Sequence, residues 1–226
     1  MILTCKSCNS PVEIPESLNV PLRLGVLCES CLRVRAERDD HADEQRRLTE
    51  RWLLICPERF QDTAVGKLPC QPQAIRALSW QRNGDGHGLN LWGFPNTGKT
   101  RSMFLVLKRE HFAWAKVRVF TAGEFERNLE WKAWRRASWV DSLIRCDVLA
   151  FDDFDKMTLT KDGERVFFGI LDRRMAEKRP VLLTHNSTAA TLEYRFRYCG
   201  EAMVRRIRDF CESVHFPERQ YELRRQ

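Results

Sequence analysis

The sequence predicts an α/β fold: a parallel sheet between two layers of helices, built around a phosphate loop, with a small cysteine-rich module in front. Three observations carry this. Gly93-Phe94-Pro95-Asn96-Thr97-Gly98-Lys99-Thr100 is a G-x-x-x-x-G-K-[ST] motif, the Walker A pattern, set between a short apolar run and a helical one. Val148-Leu149-Ala150-Phe151 ends in Asp152 and Asp153, so an apolar strand delivers two carboxylates to one edge of the sheet. Cys5-x2-Cys8 and Cys28-x2-Cys31 place two cysteine pairs within the first 31 residues.

The chain has 226 residues, of which 43% are hydrophobic and 31% charged, enough for one ordinary domain plus something small. A net charge of +7 and a pI near 9.1 point to a polyanionic partner, with nucleotide phosphates using some of that charge. Met1 to Cys5 lack the charged and long apolar regions of a secretory signal. No apolar run approaches the ~20 residues of a membrane span. A cytoplasmic protein with no membrane partner is expected, its nine cysteines reduced or metal-bound rather than disulfide-paired.

At the N-terminus the spacing is C-x2-C-x19-C-x2-C. Each C-x-x-C forms a tight knuckle that offers two thiolates to one metal, and two knuckles complete a tetrahedron. The segment is short and interrupted by Pro11, Pro15 and Pro21, too little to fold on apolar burial alone. Zinc held by Cys5, Cys8, Cys28 and Cys31 would supply its folding energy, and four thiolates leave no open position, so the zinc is structural. The bland alternative is a redox pair or coincidence; Cys56, Cys70, Cys146, Cys199 and Cys211 show no such pairing. Arg33 to Arg51 hold six basic and six acidic residues and read as a solvated helical connector. The expected division is 1–35 for the zinc module, 36–54 for the linker and 55–226 for the second domain.

The second domain opens with Trp52-Leu53-Leu54-Ile55 and Pro57, followed by a helix over Gln71–Leu78 and a turn-rich loop over Asn83–Gly88. Leu89–Trp92 is the strand before the phosphate loop, and Met103–Leu107 lie on the buried helix after it. In the loop, Gly93, Asn96, Thr97 and Gly98 let the backbone wrap the phosphates, and Arg101 follows on the first turn of the helix. Lys99 would neutralise the β- and γ-phosphates of ATP, while Thr100 and Asp152 would hold Mg²⁺. Asp153 would polarise the attacking water, where a Glu is commoner. Val117–Phe120 is the next strand, and Thr121 caps a helix starting near Glu124. Trp131, Trp134 and Trp139 interleave with Lys132, Arg135 and Arg136. Such interleaving can stack and neutralise single-stranded DNA, or the tryptophans can pack on the core of an amphipathic helix. Core packing is favoured for the tryptophans and the nucleic-acid role for the cations. Gly163–Met175 is a helix and Val181–Thr184 a strand ending in His185 and Asn186. His185 reads as a satisfied structural histidine rather than a base. A last helix begins near Gly200, among Arg195, Arg197, Arg205, Arg206 and Arg208.

Over about residues 55–216 this order resembles an AAA+ ATPase of the DnaC/DnaI/IstB clade. The resemblance rests on Pro57-Glu58-Arg59-Phe60, on Asp147 to Phe154 as the Walker B segment, and on Gly200 to Ile207, which is similar to the G-E-R-[IV]-M-x-R-[LIM] segment of helicase loaders. It implies an AAA+ P-loop NTPase αβα sandwich with a reduced lid, Asn186 as the sensor-1 residue and Arg206 as sensor 2. The trans-acting arginine of the clade falls at Ala202, with Arg205, Arg197 or Arg173 as substitutes. Phe154-Asp155-Lys156 lacks the clade's glycine. The implied function is ATP-dependent loading of a hexameric replicative DNA helicase onto single-stranded DNA, by an ATP-dependent homo-oligomer whose zinc module docks on the helicase. An IstB-like transposition helper, or an ATP-dependent adaptor with little turnover, are the alternatives.

Overall fold

The structure, a computed structural model, describes residues 2–13, 26–82 and 85–218. Pro15 and Pro21 of the cysteine segment, and Asn83 and Gly84 of the turn-rich loop, lie outside the described residues. The chain divides into two compact units, 1–51 and 52–226, with the boundary inside one helix.

In the first unit, β1 (Ile2–Thr4) pairs antiparallel with β2 (Pro11–Glu13), Leu3 facing Val12. The turn between them closes through Cys5 N–H to the Ser10 carbonyl (2.8 Å) and Asn9 N–H to the Cys5 carbonyl (2.9 Å). Asn9 takes a left-handed φ of 62°, which asparagine tolerates better than most residues. Helix α1 (Glu29–Ile55) starts directly after Cys28 rather than at the expected linker, and so includes Cys31. Leu32 N–H bonds the Cys28 carbonyl (2.9 Å), so the second knuckle serves as the first turn of the helix. Pairs such as Glu29–Arg33 and Asp39–Arg35 decorate its solvated face at the i,i+4 spacing.

In the second unit, β3 (Gly88–Gly93), β4 (Val117–Thr121), β5 (Val148–Asp152), β6 (Val181–His185) and β7 (Cys211–Phe216) form one parallel sheet in the order β4-β5-β6-β3-β7. All four neighbouring pairs are parallel, with Ala150 opposite Leu182 and Leu91 opposite Thr184. Parallel strands need crossovers, and the crossovers put helices on both faces. That is why β5 and β6 are buried along their whole length and read as apolar runs.

The period-2 alternation of the strands sorts the core into two layers. The one-turn α2 (Glu58–Gln61) precedes α3 (Gln71–Ser79). Leu89, Leu91, Ala150, Leu182, Val214 and Phe216 pack against α3, α4 (Lys99–Phe112) and Trp52. Leu149, Phe151 and Leu183 pack on the other side against α5 (Ala122–Leu129), α6 (Ala133–Arg145) and α7 (Lys161–Ala176). The result is the expected αβα sandwich. The domain ends in α8 (Ala189–Arg195) and α9 (Gly200–Phe210), joined by four residues, and then β7.

Caps set the helix starts. Thr121 accepts the Glu124 N–H while Glu124 accepts the Thr121 N–H, a capping box that starts α5 at Ala122, two residues before the sequence expectation. Thr160 and Thr188 cap α7 and α8 more simply, their hydroxyls accepting the Gly163 and Thr191 N–H groups. The stretch after α5 is not one helix: it breaks at Glu130–Lys132 before α6 begins. Trp139 is buried, and Trp131 packs edge-on to it at 5.9 Å, whereas Trp134 is 74% exposed. The core reading therefore holds for two of the three tryptophans; the break turns Trp134 to solvent.

One buried cation was not legible in the sequence. Arg174 of α7 is fully buried, and its guanidinium collects main-chain carbonyls. Nη1 donates to Leu143 (2.6 Å), Ile144 (3.0 Å) and Cys146 (2.8 Å), and Nη2 to Pro180 (2.8 Å) and Asp147 (3.3 Å). Arg174 thus caps the C-terminus of α6, where the helix dipole favours a cation, and fastens the starts of β5 and β6. His185 is satisfied as expected: Nδ1 lies 2.8 Å from the Ser187 carbonyl and Nε2 2.9 Å from the Asn90 side chain. Burial pushes its pKa down to about 4, so it is neutral at pH 7. Among the described residues no helix is long and apolar enough to cross a membrane.

Arg174→Met keeps the volume but leaves several buried carbonyls without donors. Such orphaned acceptors cost about 1–3 kcal/mol each before relaxation, so a loss of about 3 kcal/mol or more is expected. Urea unfolding should show a lower midpoint with an unchanged slope; an unchanged midpoint would mean that those carbonyls find other donors.

Candidate functional site

The phosphate loop leaves the C-terminal end of β3, the strand between β6 and β7, and closes onto α4. Its shape needs glycine at two positions. Gly93 has φ 128° and lies so close to β7 that a Cβ would sit 2.2 Å from the Phe216 carbonyl oxygen. Gly98 has φ 99° and hands the chain to the first turn of α4. Phe94 N–H bonds the Phe216 carbonyl (3.0 Å), so β7 fixes the loop from outside. Inside it, the buried Thr97 hydroxyl donates to the Phe94 carbonyl (2.7 Å).

Lys99 is 5% exposed, and its Nζ donates to the Gly93 carbonyl (3.0 Å) and the Phe94 carbonyl (2.5 Å). Burial pushes its pKa down, opposed by the carboxylates of Asp153, Asp155 and Asp152. The next residue makes the decisive contact. Thr100 Oγ1 donates to Asp152 Oδ1 at 2.7 Å, and Thr184 Oγ1, from β6, donates to the same oxygen at 2.6 Å. Thr184 in turn accepts the Asp153 N–H (2.8 Å). Because Thr100 spends its proton on Asp152, its oxygen lone pairs remain for a cation. Burial raises the Asp152 pKa, and the hydrogen bonds from Thr184 and Thr100 oppose that rise.

Asp153 follows with a left-handed φ of 53°, and its Oδ2 lies 2.5 Å from Lys156 Nζ. Asn186, at the end of β6, is held by its own N–H to Asp155 Oδ2 (3.1 Å). Asn96, Thr97, Gly98, Lys99, Thr100, Arg101, Asp153 and Asn186 all border one cleft of about 600 Å³. Asp152 lies beneath it, reaching it through Thr100. The opposite wall is the segment from Arg59 to Pro69. There Arg59 and Arg101 stand over the Phe60 ring, at 4.5 and 5.5 Å, and Arg101 Nη1 donates to Thr63 Oγ1 (3.1 Å).

Some expected residues are not brought to this cleft. Arg206 pairs with Asp172 of α7 at 2.7 Å and leans over Phe210, because α9 turns Met203, Val204 and Ile207 into the core and leaves Arg206 on its flank. Ala202 is half-buried. Of the proposed DNA contacts, Lys132 is exposed, Arg135 stacks on Trp131 at 3.9 Å, and Arg136 pairs with Asp162 at 3.2 Å. Sequence reasoning missed Thr184, although its place beside the acid-tipped strand was a usable signal. It also missed Asp62, Thr63 and Lys67, for which no motif exists, and Lys156.

In the first unit, the sulfurs of Cys5, Cys8, Cys28 and Cys31 all lie within 4.8 Å of one another, with Cys8 and Cys28 at 3.5 Å. A tetrahedral zinc–thiolate centre has Zn–S of about 2.3 Å and therefore S···S of about 3.8 Å, so the four fit one ion. The Cys28 N–H points at Cys5 Sγ (3.3 Å) and, with further backbone N–H groups, pulls the Cys5 pKa down to about 6. That is the polarity a thiolate ligand needs.

No protein-family model and no curated protein matches the sequence. Solved structures do match. A crystal structure of DnaI is similar over 72% of this chain and 92% of that one, at 19% identity and a TM-score of 0.60. A crystal structure of the DnaC helicase loader matches 71% of this chain and 99% of its own, at 18% identity and a TM-score of 0.58. The replication initiator DnaA, bound to AMPPCP and single-stranded DNA, matches 72% of this chain and 50% of its own, at 15% identity and a TM-score of 0.56. With the strand order β4-β5-β6-β3-β7 and the loop at the end of β3, these likenesses show the fold: the chain has the α/β fold seen in the DnaI, DnaC and DnaA structures.

Proposed function

We propose that this protein binds ATP with Mg²⁺ in the cleft over Gly93–Thr100, hydrolyses it, and uses the cycle to load a hexameric replicative helicase onto single-stranded DNA in the cytoplasm. The observation that supports the nucleotide reading is the Thr100–Asp152–Thr184 cluster, which sets one hydroxyl and one carboxylate beside a loop of backbone N–H groups. Mg²⁺, when bound by Thr100 and Asp152, would offset charge on the phosphates. Lys99 would exchange its loop carbonyls for phosphate oxygens, and Asn186 would orient the attacking water. Asp153 would take a proton from that water as its oxygen bonds the γ-phosphorus. The bond from phosphorus to the bridging oxygen then breaks, and its electron pair leaves with ADP.

The partner reading rests on the combination of this fold with the four-cysteine cluster, which matches what the resemblance to helicase loaders implies. Lys132, Arg135 and Arg136 remain the proposed contacts to the DNA backbone, with Lys132 exposed at the start of α6. Assembly into an ATP-dependent homo-oligomer belongs to the same reading. A second reading, an adaptor that holds ATP with little turnover, is supported by two ion pairs, Arg206 to Asp172 and Asp153 to Lys156, and by the alanine, Ala202, at the position where the resemblance implies a trans-acting arginine.

Lys99→Ala should lower ATP affinity by about 10- to 100-fold, the worth of a lost charge-assisted hydrogen bond, and abolish turnover. Titration of a fluorescent ATP analogue checks this; wild-type affinity in the variant would sink the assignment. A pull-down with wild-type protein and ATP should recover a replicative helicase, whereas recovery of a transposase would select the IstB-like alternative.

Protein purified without chelator should contain about one zinc per chain, bound through thiolates. Metal analysis should show the zinc lost in Cys28→Ser/Cys31→Ser, with ATP affinity unchanged because the cleft lies wholly in the other unit. Zinc-free wild-type protein would contradict the four-thiolate reading.

A further inference from the structure

Lys156 stands in the cleft without a role in the Walker motifs. It ends the short 3-10 turn Phe154–Lys156 directly after β5, and it borders the same cleft as Lys99, Asn96 and Asn186. The turn that carries it is firmly held. Phe154 is buried against His185, Phe167 and Phe196. Asp155, also buried, accepts the Ser187 hydroxyl (2.8 Å) and the Asn186 N–H (3.1 Å), and its carbonyl accepts from Arg195 (2.9 Å). Lys156 N–H bonds the Asp153 carbonyl (2.9 Å). A fixed turn therefore presents a long, 60% exposed side chain beside the phosphate loop.

The charges around it are unevenly shared. Asp152, Asp153 and Asp155 face two lysines, and the two lysines lie close enough for Lys156 to disfavour the charge on Lys99. The partner of Lys156 is the Asp153 carboxylate, an exposed i,i+3 pair of a kind worth little on its own. A terminal phosphate with its multiple charge is a stronger partner for an ammonium than one carboxylate is.

We propose that Lys156 is a second cation for the terminal phosphate of the bound triphosphate, supplied by the same chain, and that its bond to Asp153 opens as the triphosphate is seated. The proposal rests on the reading of this cleft as an ATP site. Opening the pair transfers Lys156 to the phosphate and frees the Asp153 carboxylate for the attacking water. The ammonium then offsets charge that develops during transfer, as an arginine from a neighbouring subunit does elsewhere. A diphosphate offers no terminal phosphate at that position, so Lys156 stays on Asp153 and ADP is held less tightly than ATP.

The test measures ATP and ADP affinities, with Mg²⁺, by competition against a fluorescent nucleotide. Lys156→Ala should weaken ATP by about tenfold or more and ADP by less than about twofold, as the loss of one charge-assisted bond to the terminal phosphate requires. Lys156→Arg should keep most of the preference for ATP. The double variant Asp153→Asn/Lys156→Ala should still lack it, since the missing contact is to the phosphate. A wild-type ratio of ATP to ADP affinity in Lys156→Ala, or its recovery in the double variant, would overturn the proposal and leave a local ion pair. Lys99→Ala run alongside separates the two failures: if it binds ATP normally, the nucleotide reading itself has failed.

Discussion

A single buried oxygen, Asp152 Oδ1, holds the functional end of the domain together. It accepts the hydroxyls of Thr100 and Thr184, and so joins the helix after the phosphate loop, the acid-tipped strand and the neighbouring strand. Burial alone would favour protonation of this carboxyl, and the two hydroxyl donors lean the other way. At the opposite end of the same strand, Arg174 gathers the carbonyls of Leu143, Ile144, Cys146, Asp147 and Pro180. Between these two fastenings, β5 contributes only apolar side chains to the two core layers. The strand is thus pinned by polar contacts where its apolar packing stops, and the cleft inherits that rigidity.

On the proposed nucleotide reading the rigidity matters, because phosphoryl transfer needs charges placed before the substrate arrives. Lys99 is already inside the loop, Asn186 is held by Asp155, and Asp153 is turned by its left-handed backbone into the cleft wall. Each position follows from a local conformational demand: positive φ at Gly93, Gly98 and Asp153, and a hydroxyl at the end of β6. The cysteine cluster shows the same logic on a smaller scale. There, a two-stranded turn and the first turn of α1 supply the backbone bonds, and four sulfurs converge where a short segment has little apolar area to bury.

What was legible in the sequence was what is encoded locally. The phosphate loop, the acid-tipped strand, the threonine cap before α5 and the buried strand over 181–184 each announce themselves within a few residues, because backbone conformation and alternation are short-range properties. The parallel sheet followed from those strands. Long-range partners were not legible. Arg174 reads as a surface cation near the end of an amphipathic helix, and only tertiary packing shows that it faces carbonyls from three segments. Arg206 was placed by resemblance, but Asp172, 34 positions earlier, takes its guanidinium. Trp134 fell on a helical spacing shared with Trp131, and a three-residue break undid it. The wall from Asp62 to Pro69 has no periodic or motif signal, since it contributes shape more than chemistry.

The measurement that bears most directly on the central claim is a crystal structure with a non-hydrolysable ATP analogue and Mn²⁺, located by anomalous scattering. Mn²⁺ should lie about 2.1–2.2 Å from Thr100 Oγ1, near the usual distance for a small octahedral cation, with Asp152 in its first or hydrating shell and the triphosphate over Gly93–Thr100. An analogue bound elsewhere, or a metal that ignores Thr100 and Asp152, would contradict the assignment of this cleft.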